Sequence, residues 1–193
     1  MNAKIENNAD NQNKTNENNN EKSNIRNNII PLSQITENIY LGNIYDAQNI
    51  QKLLKLGIQK VLSLISESQL LIYPPEIEHK LIKIPDFPRQ NIIQYFGECI
   101  LFLDDNKKTL VHCEVGKSRS ATIVIAYIMW KNQLDFKEAS KILEQIRPCI
   151  YPNYGFVRQL NIFEKLLKRN KYNINTINFR EIRYPRFFEE CCF

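Results

Sequence analysis

The stretch "TLVHCEVGKSRSATIVIAYIMW" (residues 109–130) changes character twice. "TLVH" (109–112) is short and apolar enough for a buried strand. "CEVGKSRS" (113–120) then breaks the pattern with a glycine, two serines and three charged residues. "ATIVIAYIMW" (121–130) is a continuous apolar run, about half a membrane span in length and followed by Lys131, which suits a core helix. Strand, loop and helix in this order put Cys113 at the carboxyl end of a strand, where open α/β sheets bind ligands. Two readings are open: a nucleophile in a phosphate-binding loop, or a buried thiol beside a helix.

Working outward, "QITENIYLG" (34–42) predicts two short strands around a Glu-Asn turn. "DAQNIQKLLKLG" (46–57) predicts a helix with Ile50, Leu53 and Leu54 on one face and Gly57 at its end. "IQKVLSLIS" (58–66) predicts a strand buried on both faces, and "HKLIKI" (79–84) a further strand ending in the loop "PDFPR". Ile92, Tyr95, Phe96, Cys99 and Phe102 mark a helix that stops near "DDNKK". Downstream, Asp135 with Glu138 forms a capping-box pattern before Phe136, Ala139, Leu143 and Ile146. Pro148 and Pro152 end that helix, and Asn153 is placed to cap the next one, with Phe156, Leu160, Phe163 and Leu167 at helical spacing. Strands separated by helical segments give an α/β class with a central, mostly parallel, twisted sheet flanked by helices.

The chain has 193 residues, enough for one domain with a core. Residues 1–28 hold 12 asparagines and no aromatic residue, and are expected to be a disordered tail. The domain is expected over 29–171, followed by a basic and aromatic tail over 172–193. The net charge is +5, and residues 168–193 carry six Lys or Arg against three Glu. A solvated or domain-packed tail explains this balance more simply than a nucleic-acid or membrane patch. Cys191 and Cys192 could be acylated on a membrane, but Glu190 occupies the place a prenylation box would need for its cysteine. With no secretory pattern at the amino terminus and Asn2 where myristoylation needs glycine, neither a secretory signal nor that modification is expected. Five cysteines without paired metal spacing fit a reducing compartment, so a cytoplasmic location is expected, with the nucleus also open.

A cysteine attacks only as the thiolate, and positive charge or amide dipoles must stabilise that form. A loop over 114–119 would turn its backbone N–H groups toward one point, with the positive end of a helix starting near Ser118 behind them. Glu114, Val115, Gly116, Lys117 and Ser118 would build this cradle, and Arg119 would hold two phosphate oxygens through its planar fork. His112 would orient the loop and tune the thiolate through hydrogen bonds. Ser120 would donate its hydroxyl to the sulfur and stabilise it as a leaving group. The side chains of Glu114 and Lys117 are expected to face outward. Cys149 could act as a resolving thiol on oxidation, although a packed cysteine is the plainer reading. His79 has no assigned role.

The string "VHCEVGKSRSATIVIAYIM" resembles the signature of the dual-specificity protein phosphatases, within the cysteine-dependent tyrosine phosphatase superfamily. "ITENIYLGN", "LGIQKVLSLI" and "ASKILEQIRPCIYPNYGFVRQLNIFE" extend the resemblance over about residues 30–170. It implies a tyrosine-phosphatase-like three-layer fold and hydrolysis of phosphotyrosine and phosphoserine or phosphothreonine through a cysteinyl phosphate on Cys113, without metal or cofactor. A small, atypical member acting as a monomer on phosphorylated proteins, and not on nucleic acid, is the expectation. The leaving oxygen needs a proton donor. Members of this family carry it on a loop before the helix preceding the cysteine strand, where "IPDFPR" places Asp86, 27 residues before Cys113. Asp104 and Asp105 fall in the turn entering that strand, remote from the loop. Asn153 would brace the site as well as cap its helix. A phosphoinositide or other non-protein substrate is the alternative, weakened by Glu114 where such enzymes often place a basic residue. A phosphate-binding pseudophosphatase is less favoured, because Cys113, Arg119 and an acid are all present.

Overall fold

The computed structural model describes residues 30–66, 71–182 and 184. The expectations for the tail over 1–28, for Cys191 and Cys192 and for residues 185–193 lie outside this range. Five described strands, β1 (Ser33–Gln34), β2 (Ile39–Gly42), β3 (Lys60–Ile65), β4 (Glu78–Lys83) and β5 (Thr109–His112), form one sheet in the order β1-β2-β5-β3-β4. Only the β1–β2 pair is antiparallel. This is the mostly parallel sheet that the alternation of strands and helices predicts, with the cysteine strand β5 at its centre.

The predicted helix over 46–57 is two short helices, α1 (Ile44–Gln48) and α2 (Ile50–Leu56). Asn49 lies between them with ψ 75°, outside the helical region, and its side chain accepts a hydrogen bond from Lys52 N to cap α2. Within α2 Leu53 is fully buried while Leu54 is 48% exposed, so the buried face is narrower than the sequence reading. The helix predicted from Ile92 starts as a 3-10 turn (Ile93–Tyr95) and continues as α3 (Phe96–Leu103). Three further helices follow: α4 (Arg119–Asn132), α5 (Phe136–Ile146) and α6 (Tyr154–Arg169). Both predicted caps are present, a capping box at Asp135 and Glu138 and an Asn153 side chain accepting from Phe156 N.

Two apolar layers sandwich the sheet. Val61, Leu110 and Tyr40 face Ala47, Leu53 and Ile58 on the α1–α2 side. Leu41, Leu62, Leu64 and Val111 face the larger core built by α3, α4, α5 and α6. Every residue of α4 from Arg119 to Met129 is buried, so this helix shows no polar stripe. Its β-branched run Ile123 to Ile125 is a modest helix former, and burial at roughly 1.5–3 kcal/mol for each large apolar side chain outweighs that preference.

The chain stays packed beyond residue 171. Ile174, Ile177, Phe179 and Tyr184 are buried, Trp130 Nε1 donates to Tyr172 O at 3.0 Å, and Asn91 Nδ2 donates to Ile182 O at 3.0 Å. The described part of the C-terminal segment is therefore docked against the core, because its apolar positions find partners on α3 and α6. None of the described helices is long and apolar enough to cross a membrane.

Candidate active site

Cys113 follows the last residue of β5, and the loop after it closes on Ser118, the residue preceding α4. The Cys113 side chain is buried, and its Sγ accepts from Gly116 N at 3.2 Å and from Ser120 Oγ at 3.1 Å. Gly116 adopts φ 75°, and a Cβ there would meet Gly42 O at 2.4 Å. Only glycine allows this turn at this distance from β2.

The loop's carbonyl groups are engaged on its outer side. Glu114 O accepts from Ile44 N at 3.2 Å, Gly116 O from Arg147 Nε at 3.1 Å, and Lys117 O from Tyr151 N at 2.8 Å. In a trans peptide the N–H opposes the C=O, so the amides of Val115, Lys117 and Ser118 turn to the inner side. Three separate parts of the fold thus make the loop a cradle of donors suited to an oxyanion. Arg147 is almost fully buried beneath it and also donates to Ser33 Oγ at 2.9 Å.

Arg119 is the first residue of α4 and is 5% exposed. Nη1 donates to Ile84 O at 3.1 Å, and Nη2 forms an ion pair with Glu114 Oε2. Its Nε is buried with no hydrogen-bond partner among the described residues, 3.7 Å from Asp86 Oδ2. A buried guanidinium N–H left open beside a ring of amides fits a phosphate oxygen. Glu114 departs from its expected outward orientation: its carboxylate turns in to Arg119 and accepts from Ser66 N at 3.2 Å and Ser66 Oγ at 3.1 Å. A guanidinium this deeply buried requires a counter-charge, and the residue after Cys113 supplies it. Val115 is exposed and Lys117 half-buried.

Asp86 comes to the same place from the loop after β4. Its Oδ1 accepts from Ser118 Oγ at 2.7 Å and from Asn153 Nδ2 at 2.7 Å. Asn153 N in turn donates to Ser118 Oγ at 3.2 Å. Asp104 and Asp105 sit at the far end of β5, bound at 2.6 Å to Lys131 and Lys60 respectively. Cys149 is a free, half-buried thiol; Cys99 is fully buried, which pushes its thiol pKa far up.

His112 is wholly buried at the end of β5, with Nδ1 3.3 Å from Cys113 O and Nε2 2.6 Å from Ser63 Oγ. Burial lowers its pKa to about 4, so the ring is neutral near neutral pH. The residues that brace the site from afar were not singled out in the sequence. Besides Arg147, buried Gln159 on α6 accepts from Ile92 N at 2.8 Å and Ile93 N at 3.0 Å, and donates to Gln90 O at 2.8 Å. It pins the chain just after the Asp86 loop. Among the described residues no group of three or more His, Cys, Asp or Glu is arranged to hold a metal ion.

A cysteine sulfur under two donors, an arginine with an open N–H and a carboxylate brought together are the groups that a cysteine-dependent phosphatase requires. Residues 39–166 match the family model described as dual specificity phosphatase, catalytic domain, and the chain belongs to this family. It is 36% identical over 140 residues to dual specificity protein phosphatase 1 of Arabidopsis thaliana, covering 70% of each chain. Dual specificity protein phosphatase 1B of the same plant is 35% identical over 143 residues, covering 72% of this chain and 85% of the relative. The solved structure of DUSP15 superposes with a TM-score of 0.68 at 29% identity, covering 81% of this chain and 98% of that one.

Proposed function

We propose that this chain removes phosphate from phosphotyrosine and from phosphoserine or phosphothreonine in proteins through a covalent cysteinyl phosphate. The observation that carries the reading is Cys113 Sγ accepting from Gly116 N and Ser120 Oγ, in the same loop whose last residue leads into Arg119 with its buried Nε open. Two donors aimed at one sulfur suit a thiolate, which accepts both bonds.

In the first step the Cys113 thiolate attacks phosphorus, the S–P bond forms and the bond to the substrate oxygen breaks. The loop amides and Arg119 hold the three equatorial oxygens, and Asp86 gives its proton to the departing oxygen. In the second step water attacks the phosphocysteine, Asp86 takes a proton from it, and the sulfur leaves as thiolate under the Ser120 hydroxyl. Asn153 and Ser118 position the Asp86 carboxyl, and His112 positions the loop. The catalytic domain runs over 29–171, with the packed residues after it serving as a brace. The candidate site is built from one chain, which suits a monomer, and phosphoprotein substrates together with free Cys99, Cys113 and Cys149 among the described residues suit a cytoplasmic or nuclear setting.

The test is phosphate release from matched phosphotyrosine and phosphothreonine peptides by the wild type, Cys113→Ser and Asp86→Ala. The first change abolishes turnover, and the second lowers kcat by about 10²- to 10⁴-fold. Clear preference for inositol lipids would replace the protein reading with a lipid one. Tight phosphopeptide binding without turnover would make the chain a binding module.

A further inference from the structure

Three polar side chains lie in a row on the sheet face that α1 and α2 cover. Ser63 on β3 is the register partner of His112 on β5, and Val61, two residues earlier, is that of His79 on β4. Alternate residues share a face, so His79, Ser63 and His112 cross the sheet from its edge strand to the cysteine. His79 Nε2 lies 2.8 Å from Ser63 Oγ, Ser63 Oγ lies 2.6 Å from His112 Nε2, and His112 Nδ1 lies 3.3 Å from Cys113 O.

Hydrogen counting gives this row one direction. A carbonyl oxygen only accepts, so His112 Nδ1 carries the hydrogen. The ring is neutral near neutral pH, so His112 Nε2 must accept, and Ser63 donates its single hydroxyl hydrogen to it. The oxygen of Ser63 can then only accept from His79 Nε2. Both the Nε2–H tautomer and the imidazolium of His79 can make that bond. The Tyr73 ring meets His79 edge-on, with centroids 4.8 Å apart, while its hydroxyl donates to Ala47 O at 3.2 Å. The titratable and charged groups acting on His112 are His79 itself, Asp46, which is paired with Lys52 at 2.8 Å, and Arg119.

We propose that His79 is a positioning residue for the cysteine loop: through Ser63 it holds His112 in the Nδ1–H tautomer, and through Cys113 O it fixes the first peptide of the phosphate cradle. The proposal rests on the reading of Cys113 as the nucleophile. Fixing the peptide plane between Cys113 and Glu114 sets the direction from which every later loop amide turns inward. Removing one link leaves a buried polar atom without a partner and frees the tautomer of His112.

The experiment uses the full chain and four variants: His79→Phe, which keeps a ring against Tyr73 without a donor; His79→Gln, which keeps an N–H donor; Ser63→Ala; and the double variant Ser63→Ala with His79→Phe. Nitrogen-15 NMR reports the His112 tautomer. Iodoacetamide alkylation of Cys113 and turnover of para-nitrophenyl phosphate report the loop, and thermal unfolding reports stability. Wild-type His112 is expected as the Nδ1–H form. His79→Phe and Ser63→Ala should give mixed tautomers and lower both alkylation and kcat by about three- to tenfold with KM unchanged. The double variant should be no worse than the weaker single one, and His79→Gln should stay near wild type. Wild-type His112 protonated on Nε2, additive effects of the two changes, or a shift in thermal unfolding alone would each overturn the proposal. Absence of wild-type turnover would sink the phosphatase reading instead, while the tautomer and the alkylation rates would still decide the role of His79.

Discussion

Asn153 Nδ2 donates to Asp86 Oδ1 at 2.7 Å while Asn153 Oδ1 accepts from Phe156 N at 3.0 Å. One side chain therefore caps α6 and holds the carboxyl proposed as the acid. The two duties can be separated by substitution. Asn153→Ser keeps a good helix cap but is too short to reach Asp86, so stability should change by less than about 0.5 kcal/mol while kcat falls several-fold. Asn153→Ala removes both contacts and should lose about a further 1 kcal/mol. Urea unfolding together with steady-state kinetics checks this, and equal kinetic effects with no difference in stability would contradict it.

Gly155 lets α6 approach the acid loop. A Cβ at this position would lie 1.9 Å from Pro88 O, a backbone atom that cannot turn aside. Gly155→Ala should destabilise the domain by about 1–3 kcal/mol and push the Asp86 loop outward. Proton delivery to the leaving oxygen should suffer most where that oxygen is basic. The loss in kcat/KM is expected to be larger for an alkyl phosphate than for para-nitrophenyl phosphate, and an equal loss on both would place the effect elsewhere.

The cysteine loop was legible in the sequence because its chemistry is local: Cys113, Gly116, Arg119 and Ser120 lie within eight consecutive residues between a strand and a helix. Asn153 was legible as the cap of the helix it precedes, a short-range signal, whereas Asp86 was reached only through the family resemblance, because nothing local ties it to Cys113, 27 residues on. Arg147, Gln159, Ser63 and His79 left no comparable trace. Their partners stand between 16 and 114 residues away along the chain, and an arginine, a glutamine or a serine is ordinary composition until register brings it beside its partner. Glu114 was misread for a related reason. A charged residue in a loop normally faces solvent, and only the depth of Arg119 makes the inward turn favourable. The split at Asn49 shows a limit of periodicity, because a residue that caps a new helix in mid-pattern leaves the apolar spacing after it unchanged.

The neutral, buried state of His112 links folding to pH. Burial lowers its folded-state pKa from 6.5 to about 4, and burial also lowers that of half-buried His79. A histidine with a depressed pKa takes up its proton more readily when unfolded. Its contribution is thus intact above the unfolded value near 6.5 and declines as pH falls toward 4. The difference for His112 alone is on the order of 3 kcal/mol. Denaturant midpoints measured from pH 7 down to pH 4 should fall steadily. In His112→Asn, compared with its own stability at pH 7, that decline should be markedly smaller.

In the proposed mechanism Ser120 acts unequally on the two chemical steps. Its hydroxyl is one of two donors on Cys113 Sγ, and the other is the backbone amide of Gly116, which no side-chain change removes. The proposed mechanism has sulfur negative before the attack and again when water releases phosphate, so Ser120→Ala should weaken the thiolate at both ends of that cycle. The consequences differ, however. Before the attack, a less stabilised thiolate is also a better nucleophile, and the two effects partly offset each other. In breakdown the sulfur is the leaving group, and loss of a hydrogen bond to a developing charge, about 1.5–3 kcal/mol, acts undiminished. Ser120→Ala should therefore lower kcat by about 10- to 150-fold while a stoichiometric burst of alcohol precedes the steady state. Acid quenching during that steady state should recover phosphate attached to Cys113. A variant slowed to the same extent with no burst and no trapped phosphocysteine would show that Ser120 acts on formation of the intermediate, and its place in the second step would have to be given up.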